Sequence, residues 1–493
     1  MAGFGVLKRL NNLYYALKLG KKWDELPPGD LSWPLVGSTL SFLKYFTFGP
    51  PESFIADFSR RYGKLDMYKT HIFGKPTIIV CKPEICRQVL LTEEAKFIPG
   101  YPITMTTIFG RKSLHQVPKE EHRKLRRLTT APISGHAALE MYIDHIEHTV
   151  ISGLEEWSRT EKPLELLTTI KHLTLKVIWN IFMGSTPIKS TSIREMENLN
   201  EDIALAFFTL PINFPGFPFH KALMERTKII SNTNATKSRK RLNEILQSIL
   251  DEKRMVKKSK GENWKAKDMM DLLMEVRDED GEGFDDETIT EMIFSMLFGG
   301  QETSAFTTMW AVLFLTDNPH IFQKAKEEQE DIVRRRASTQ KGVSLSEIKQ
   351  MKYLSQVIDE TLRLGSIAFA TFREATTDVE INGKIIPKGW KVILWLRELY
   401  MDEKLHPSPQ QFNPSRWDNF TGSSGAFTPF GLGVRMCPGR DLARIEISIF
   451  LHYFVLNYKV ERLNAECELN YLPIAYPKDK CLARVIKAPS KIH

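Results

Sequence analysis

A glycine-rich loop near the C-terminus carries a group that could hold a metal ion. It spans residues 430–439, Phe-Gly-Leu-Gly-Val-Arg-Met-Cys-Pro-Gly, and an apolar helical run follows directly. Amide N–H groups and the positive end of a helix dipole favour a thiolate over a thiol, which makes Cys437 a candidate metal ligand. The glycines allow the backbone to approach a flat, bulky group closely. Arg435 places a permanent cation two residues from the sulfur, where it could bind a carboxylate.

A haem needs this combination, because it has an iron and two propionates. A structural cysteine in a loop before a core helix is the alternative that an isolated Cys-Pro-Gly would favour. The complete spacing Phe-x-x-Gly-x-Arg-x-Cys-x-Gly instead resembles the haem-ligand loop of the cytochrome P450 family. The resemblance implies haem b as the cofactor and Cys437 as the axial ligand of its iron. It assigns the other fixed positions of the loop to haem binding: Phe430, Gly433, Arg435 and Gly439.

A second candidate site lies inside a long apolar helix predicted over residues 285–315. This helix contains Gly-Gly at 299–300, although each glycine costs ~1 kcal/mol relative to alanine in a helix. The glycines allow a local opening of the helix, and the Thr303 hydroxyl can donate to the carbonyl of Gly299 four residues back. In isolation the segment would fit a helix kink with an incidental polar pair.

The same segment resembles the small-Gly-x-acid-Thr signature of the oxygen-activating helix in the cytochrome P450 family. That resemblance implies catalytic roles for Glu302 as the acid and Thr303 as the alcohol, which together deliver protons to bound dioxygen. Gly299 would border the substrate. By the same resemblance, a short apolar segment passes over the haem and faces the substrate; its residues are Ile367, Ala368, Phe369 and Ala370.

Two arginines and a glutamate are predicted to brace the Cys437 loop. Glu360 and Arg363 are three residues apart on one face of a predicted helix and can form an ion pair. Such a pair contributes little at the surface, but a buried pair would need a third partner, which Arg416 could supply. The trio resembles the Glu-x-x-Arg and Pro-x-Arg elements of the cytochrome P450 fold, so its role would be structural.

Further residues are assigned to the haem propionates by resemblance. His122 and Arg126 lie four residues apart and therefore on one helix face. On its own that pattern is typical of a solvated basic face. In the family a ring donor and an arginine at this spacing hold propionates, although His122 replaces the more usual tryptophan. Arg373 would reach a propionate from the end of the apolar segment at 367–370.

Composition and periodicity predict one large unit that is mainly α with a small β region. The chain has 493 residues, of which 42% are hydrophobic, enough for a sizeable core. Two strands are expected within residues 64–81, and hairpin turns at 382–383 and 387–389. Five cysteines, few and odd in number, favour a reducing compartment, where the sequons at Asn234 and Asn419 would stay unused.

Residues 1–25 are predicted to form a basic amphipathic helix on a membrane surface, ahead of a single catalytic domain at residues 26–493. No stretch reaches the roughly 18–20 apolar residues that a spanning helix needs. The segment could also be the remainder of a longer anchor, or an ordinary surface helix. Microsomal cytochromes P450 carry a spanning anchor here, and the resemblance implies the cytoplasmic face of the endoplasmic reticulum membrane. The kinked apolar run at residues 210–219 could line a substrate entrance, dip into the membrane or form a buried turn.

The net charge of +8 favours an acidic partner or an anionic membrane surface over nucleic acid, for which the sequence contains no motif. No flavin or nicotinamide signature is visible either, so the electrons must come from a separate protein. By resemblance that partner is the NADPH-dependent cytochrome P450 reductase. Its acidic surface could dock on a basic cluster formed by Arg123, Lys124 and Arg127.

Four longer segments resemble the plant ent-kaurenoic acid oxidases and their triterpenoid-oxidising relatives. They lie at 26–37, 371–375, 387–392 and 442–452. The resemblance implies a monooxygenase that oxidises an unactivated C–H bond of a plant cyclic terpenoid. Residues 367–370 favour a triterpenoid skeleton, and the diterpenoid acid of gibberellin biosynthesis is the alternative, whereas residues 301 and 305–307 fit neither group closely. Two alternatives belong to other functional classes: a haem-thiolate isomerase or dehydratase, and a non-catalytic haem-binding protein.

Overall fold

The computed structural model describes most of the chain. The described residues are 2–34, 36–92, 95–102, 105–106, 109–110, 112–114, 116–184, 190–207, 234–278, 280–420, 425–471 and 474–488. The prediction for the run at 210–219 lies outside these residues.

Helices make up most of the described chain. They are α1 (Ala2–Leu19), α2 (Thr39–Phe48), α3 (Glu52–Tyr62), α4 (Pro83–Leu91), α5 (Lys119–Ser134), α6 (His136–Ser158), α7 (Leu166–Met183), α8 (Ser190–Phe207), α9 (Asn234–Lys260), α10 (Met269–Glu275), α11 (Asp286–Asp317), α12 (Pro319–Arg335), α13 (Leu345–Gln350), α14 (Lys352–Gly365), α15 (Leu396–Tyr400) and α16 (Arg440–Asn457). Short 3₁₀ turns occur at Gly20–Trp23, Gly261–Asn263, Pro414–Trp417 and Gly433–Arg435.

The strands form a small β region beside the helices. They are β1 (Met67–Ile72), β2 (Lys75–Val80), β3 (Phe97–Pro99), β4 (Leu164–Glu165), β5 (Thr371–Ala375), β6 (Val379–Ile381), β7 (Lys384–Ile386), β8 (Lys391–Leu394), β9 (Tyr458–Arg462), β10 (Leu469–Asn470), β11 (Tyr476–Pro477) and β12 (Leu482–Lys487). The largest sheet has the order β1-β2-β8-β5-β3, and a second has the order β4-β12-β9. Strands β6 and β7 form one separate pair, and β10 and β11 form another.

The strand pairing confirms the hairpin turn predicted at 382–383, between β6 and β7, whereas the hairpin predicted at 387–389 is wrong, because that turn joins β7 to β8, which lie in different sheets. Strands β1 and β2 form the antiparallel hairpin predicted within residues 64–81, with Met67 opposite Val80. Strands β2 and β8 run parallel, whereas β8–β5 and β5–β3 are antiparallel. The predicted fold class, mainly α with a small β region, is confirmed.

Helix α11 is the central element, because most of its faces are buried against other helices. The Asp285 side chain caps it by accepting a hydrogen bond from the Thr288 N–H at 2.8 Å. Helices α7, α9, α14 and α16 pack around it. One stripe at helical spacing is less buried: Met296, Gly299 and the exposed Thr303. Since helices surround α11, this stripe borders an internal space.

The ion pair between Glu360 and Arg363 on α14 is fully buried. Arg363 donates through Nη2 and Nε to the two carboxylate oxygens at 2.8 and 2.9 Å, and Arg416 Nε donates to Oε1 at 2.9 Å. The Trp417 indole N–H adds a bond to Oε2 at 3.1 Å, and Arg363 Nη1 donates to Tyr400 O at 2.7 Å. The contacts predicted among the glutamate and the two arginines are therefore present. They attach the chain before the Cys437 loop to α14.

Helix α1 packs against the sheet region by one face and exposes an apolar face. The Asn11 side-chain amide donates to Leu31 O at 3.2 Å and to Ser32 O at 3.1 Å. The Tyr15 ring packs edge-on against Trp390, with ring centroids 5.9 Å apart. The outward face carries exposed apolar side chains: Val6, Leu7, Leu10, Leu13, Tyr14 and Leu17. Within the described part of the chain, every helix is too short or too polar to cross a membrane.

Removal of the Glu360 carboxylate should destabilise the fold strongly. Glu360→Ala leaves Arg363 as a buried cation without its counter-ion, and breaking a buried pair in this way costs about 3–5 kcal/mol. Urea unfolding followed by far-ultraviolet circular dichroism measures the loss. Asp331→Ala is a matched control, because it breaks an exposed pair with Arg334 (2.6 Å) on α12 and should leave the midpoint nearly unchanged. Equal midpoints for the wild type and Glu360→Ala would contradict this account of the brace.

Candidate active site

The backbone of the Cys437 loop depends on a glycine. Gly433 has a φ of 72°, in the left-handed region that glycine adopts without strain. A Cβ at this position would lie 2.7 Å from Leu90 O, so the chain itself requires glycine there. The Cys437 N–H then donates to Phe430 O at 2.8 Å, which closes the loop. The sulfur is thereby held at a fixed place directly before α16.

Burial raises the pKa of the Cys437 thiol. The Gly439 N–H and the guanidinium groups of Arg126 and Arg440 oppose this shift, and the Asp441 carboxylate adds to it. The prediction that the loop by itself favours a thiolate is therefore wrong, because desolvation of the charged sulfur outweighs the nearby donors and cations. A coordinated metal ion would reverse the balance, since a thiol that ligates one loses its proton.

Arginines from distant parts of the sequence come together at this loop. Arg435 reaches the segment before α5, where its Nη1 and Nη2 donate to Leu114 O at 3.1 Å and Val117 O at 3.0 Å. Arg126 on α5 is half-buried, and burial lowers the pKa of its guanidinium. The charge at Cys437 opposes that shift, which places Arg126 within electrostatic reach of the sulfur. The structure thus brings both predicted arginines to the same loop.

The other predicted propionate partners are buried polar side chains. His122 lies on α5, one turn before Arg126. Arg373 lies on β5, where its Nη1 donates to Thr371 Oγ1 at 3.0 Å and to Phe372 O at 2.9 Å. Propionate carboxylates would match the polarity of both side chains. Their roles toward a haem stay predictions.

The Thr303 hydroxyl donates to Gly299 O at 2.7 Å, the contact that the sequence predicts. Helix α11 continues through both glycines, so the local opening that they allow is not formed, because the hydroxyl shares the Gly299 carbonyl without breaking the helix. Among the described residues, a Cβ at Gly299 would meet no atom within 4 Å, whereas a Cβ at Gly300 would lie 2.9 Å from Ile178 Cδ1. Gly299 therefore borders the internal space, and Gly300 packs against α7.

Glu302 turns away from that space and forms an ion pair that the sequence did not reveal. Its Oε2 lies 2.8 Å from Lys171 Nζ on α7, and both side chains are largely buried. The neighbouring Gln301 accepts a hydrogen bond from the Asn200 amide at 2.6 Å. A lysine inside the apolar sequence of α7 indicates that Lys171 needs a partner, but the sequence does not identify Glu302, which lies more than a hundred residues away. The predicted acid and alcohol are thus adjacent in sequence and face different surroundings.

The segment predicted to face substrate has mixed surroundings. Ile367 belongs to the main hydrophobic core, and Ala368 is partly exposed. The Phe369 ring packs against Phe46 and Trp395, with centroid distances of 4.9 and 5.6 Å, in an aromatic cluster that also borders Ala370. The cluster is a contact that the sequence does not predict. The substrate roles of these residues stay predictions.

Comparison with known proteins decides the family. The family described as Cytochrome P450 matches residues 27–477. The chain belongs to the cytochrome P450 family. Its overall structure is similar to the retinoic acid-bound cyanobacterial CYP120A1, with a TM-score of 0.79, 24% identity, and coverage of 94% of this chain and 99% of the other. At that identity the similarity concerns the fold.

Curated plant relatives of this cytochrome P450 cover nearly its whole length. Beta-amyrin 11-oxidase of Glycyrrhiza uralensis is 49% identical, over 98% of this chain and 95% of the relative. (1S)-1-hydroxy-luvungin A synthase of Citrus sinensis is 46% identical, with 98% and 95% covered. Ent-kaurenoic acid oxidase 2 of Arabidopsis thaliana is 46% identical, also with 98% and 95% covered. The predicted similarity to both groups of oxidases is confirmed.

The residues of this cytochrome P450 fit the haem that its family implies. A Cβ at Gly439 would, like one at Gly299, meet no atom within 4 Å in the described chain, so both the Cys437 loop and α11 border open space. Arg126 and Arg435 meet at the same loop and match the charge of propionates. Cys437 would hold the iron, and the open side of α11 would face the reaction.

Gly299→Ala should raise stability and lower activity. Alanine is favoured over glycine inside a helix by about 0.5–1 kcal/mol, and its methyl group would enter open space. The same methyl group narrows the space beside Thr303, so we expect a higher thermal midpoint together with slower turnover.

Gly300→Ala is the matched control, since its methyl group would press on Ile178 and leave the space unchanged. Differential scanning fluorimetry and product analysis on both variants provide the measurement. Unchanged turnover in Gly299→Ala would show that this part of the space is not used.

Proposed function

We propose that this cytochrome P450 is a haem b monooxygenase that oxidises an unactivated C–H bond of a plant cyclic terpenoid, with a triterpenoid as the favoured skeleton. The main support is that the Cys437 loop at Gly439 and helix α11 at Gly299 both border open space, and that Thr303 bonds to Gly299. The substrate class rests on the relatives, since beta-amyrin 11-oxidase is named for a triterpenoid. The relative named ent-kaurenoic acid oxidase 2 supports a diterpenoid acid as the second candidate.

The chain's own residues would divide the work between binding and proton transfer. A haem held through Cys437 would supply the activation of dioxygen. Thr303 keeps its hydroxyl proton on Gly299 O, so its oxygen is directed as an acceptor toward the open space. Glu302, held by Lys171, lies one residue away and can exchange protons with the solvent side of α7. Together they could carry protons from that side to the reacting face.

The electrons would come from NADPH through a separate reductase that docks on α5. Arg123, Lys124 and Arg127 are exposed there and line a cleft of about 310 Å³ together with Asp278. Lys124 Nζ lies 2.5 Å from Asp278 Oδ2, so part of the positive charge is neutralised within the chain. Arg123 Nη1 also lies 4.0 Å from Glu120 Oε1, so an acidic surface of the reductase would compete with carboxylates of the chain for these cations.

Expression with a plant reductase in yeast that makes ent-kaurenoic acid or a panel of cyclic triterpenes tests the function. We expect mass spectrometry to show a triterpene that has gained oxygen, and the product locates the attacked carbon. Conversion of ent-kaurenoic acid alone would favour the diterpenoid reading. A product that forms without NADPH would indicate an isomerase or dehydratase. Cys437→Ser is the control, and it should lose both the product and the thiolate-type ferrous–carbon monoxide spectrum.

We also propose that the protein lies on the cytoplasmic face of the endoplasmic reticulum membrane, attached through the outward face of α1. Leu17 is 77% exposed, and Leu10 and Leu13 are more than half exposed on the same face. Arg9, Lys18 and Lys21 add positive charge that suits anionic lipids. The hydrogen bonds of Asn11 fix this face relative to the rest of the fold.

Replacement of Leu10, Leu13 and Leu17 together by serine should weaken binding to lipid vesicles at least about tenfold. A leucine gains roughly 1.5–3 kcal/mol when fully covered, so even partial coverage of these exposed side chains by lipid exceeds the ~1.4 kcal/mol of a tenfold change. Flotation with vesicles of phosphatidylcholine and phosphatidylserine measures the bound fraction. Ile151→Ser, at an exposed apolar position on α6, is the control and should bind as the wild type does. Full binding of the triple variant would show that the membrane contact lies outside this face of α1. A fluorescent fusion in plant cells tests the endoplasmic reticulum location.

A further inference from the structure

A tryptophan on α11 holds the β10–β11 pair by a hydrogen bond. Trp310 lies about two helical turns after Thr303 and therefore on the same face of α11. Its indole N–H donates to Ala475 O, directly before β11, at 2.7 Å. One turn before Trp310, the centroid of the Phe306 ring lies 5.6 Å from that of the Tyr476 ring. The face of α11 that carries Thr303 is thus continued by contacts with the β10–β11 pair.

The Trp310 ring is itself held by packing on two sides. It stacks on Phe314, with ring centroids 5.2 Å apart. At the end of α14, a Cβ on Gly365 would lie 3.5 Å from Trp310 Cδ1, so the indole lies close beside that backbone. The donor therefore has a defined place relative to α11 and α14, and the hydrogen bond transmits that place to the Ala475 carbonyl.

The β10–β11 pair needs contacts with the rest of the protein to keep its position. Each strand has only two residues, and the two strands form a sheet of their own. A two-stranded pair is marginally stable at best without further packing. Tyr471, which follows β10, packs against the hydrophobic cluster that Phe369 and Ala370 also border. The pair thus connects α11 with the segment that is predicted to face substrate.

We propose that Trp310 is a positioning residue, which through its bond to Ala475 fixes the β10–β11 pair as one wall of the internal space where the substrate would bind. A wall at a fixed distance from Thr303 limits how far a rigid ring system can enter, and it thereby selects the carbon that is oxidised. Packing of the indole alone would fix this distance less strictly, because a hydrogen bond also has direction. The inference rests on the proposed oxidation of a cyclic terpenoid.

Two substitutions separate the hydrogen bond from packing. Trp310→Phe keeps a six-membered ring but has no N–H. Trp310→His is smaller, yet its Nε2 occupies the ring position of the indole Nε1 and can carry a proton. If only packing matters, the histidine variant should be the more damaged, whereas a role of the hydrogen bond makes the phenylalanine variant the more damaged. Trp179→Phe is the matched control, because Trp179 on α7 is 2% exposed and its Nε1 has no hydrogen-bond partner among the described residues.

The first readout needs no substrate. Hydrogen exchange of the full-length holoenzyme, followed by mass spectrometry, measures local opening in the peptides that cover β10 and β11. We expect exchange there to be at least about threefold faster in Trp310→Phe, and within about twofold of the wild type in Trp310→His and Trp179→Phe. Equal exchange in Trp310→Phe and the wild type, or faster exchange in Trp310→His than in Trp310→Phe, would overturn the inference.

The second readout is the affinity of the holoenzyme for ligands of different size. Absorption titrations compare imidazole, which needs only the space next to the iron, with clotrimazole, a bulky azole that extends further into the internal space. We expect Trp310→Phe to raise the Kd of clotrimazole at least about threefold and to leave the Kd of imidazole within about twofold. Equal changes for the two ligands, or none for clotrimazole, would contradict the role of the β10–β11 pair as a wall.

The third readout is the ratio of the main product to products oxidised at other carbons, once a terpenoid substrate is known. We expect Trp310→Phe to change this ratio at least about threefold, and Trp310→His and Trp179→Phe to stay within about twofold of the wild type. A slower reaction with an unchanged ratio would contradict the selection of the carbon. If the wild type oxidises no terpenoid, the proposed function fails, while the exchange and titration results still decide on Trp310.

Discussion

The arrangement around the active site depends on the buried ion pair between Glu360 and Arg363. A buried ion pair must find all its hydrogen-bond partners inside the protein. Glu360 and Arg363 are completely buried. Each of their donors and acceptors that lacked a partner would therefore destabilise the fold, because it would have lost its hydrogen bond to water. Their partners come from the backbone at Tyr400 and Gln411 and from the Asn413 N–H at 3.0 Å. These groups lie on the chain that leads to the Cys437 loop. The ion pair therefore holds in place the segment that precedes the Cys437 loop.

The two reacting sides are shaped in different ways. On the cysteine side the backbone turns through Gly433, and arginines gather around the loop, while on the helix side a missing side chain at Gly299 leaves room. Consecutive residues of a helix point about 100° apart, so Glu302 and Thr303 cannot face the same surroundings. One meets Lys171 and the other meets the open space. The helix thus places the Glu302–Lys171 ion pair and the Thr303 hydroxyl on different sides.

The features of this site that could be predicted are those that depend on residues close together in the sequence. The Cys437 loop, the Thr303 bond to Gly299 and the Glu360–Arg363 pair depend on residues a few positions apart, so spacing alone predicts them. The raised pKa of Cys437 was not predictable, because it depends on how much protein covers the sulfur. The Lys171–Glu302 pair joins helices that only tertiary packing brings together. The strands were predicted where turns mark them, but not their order in the sheet.

The glycines of this site are under two different steric constraints. Position 433 is closed by the carbonyl of Leu90, which belongs to the chain itself, so any descendant that keeps α4 in place must keep glycine there, even after losing its haem. Positions 299 and 439 border open space, and only what occupies that space excludes a methyl group. In a lineage that had abandoned catalysis, those two positions would drift toward alanine and other residues while position 433 stayed constant. The pattern of change would therefore record the loss of the cofactor in the sequence alone.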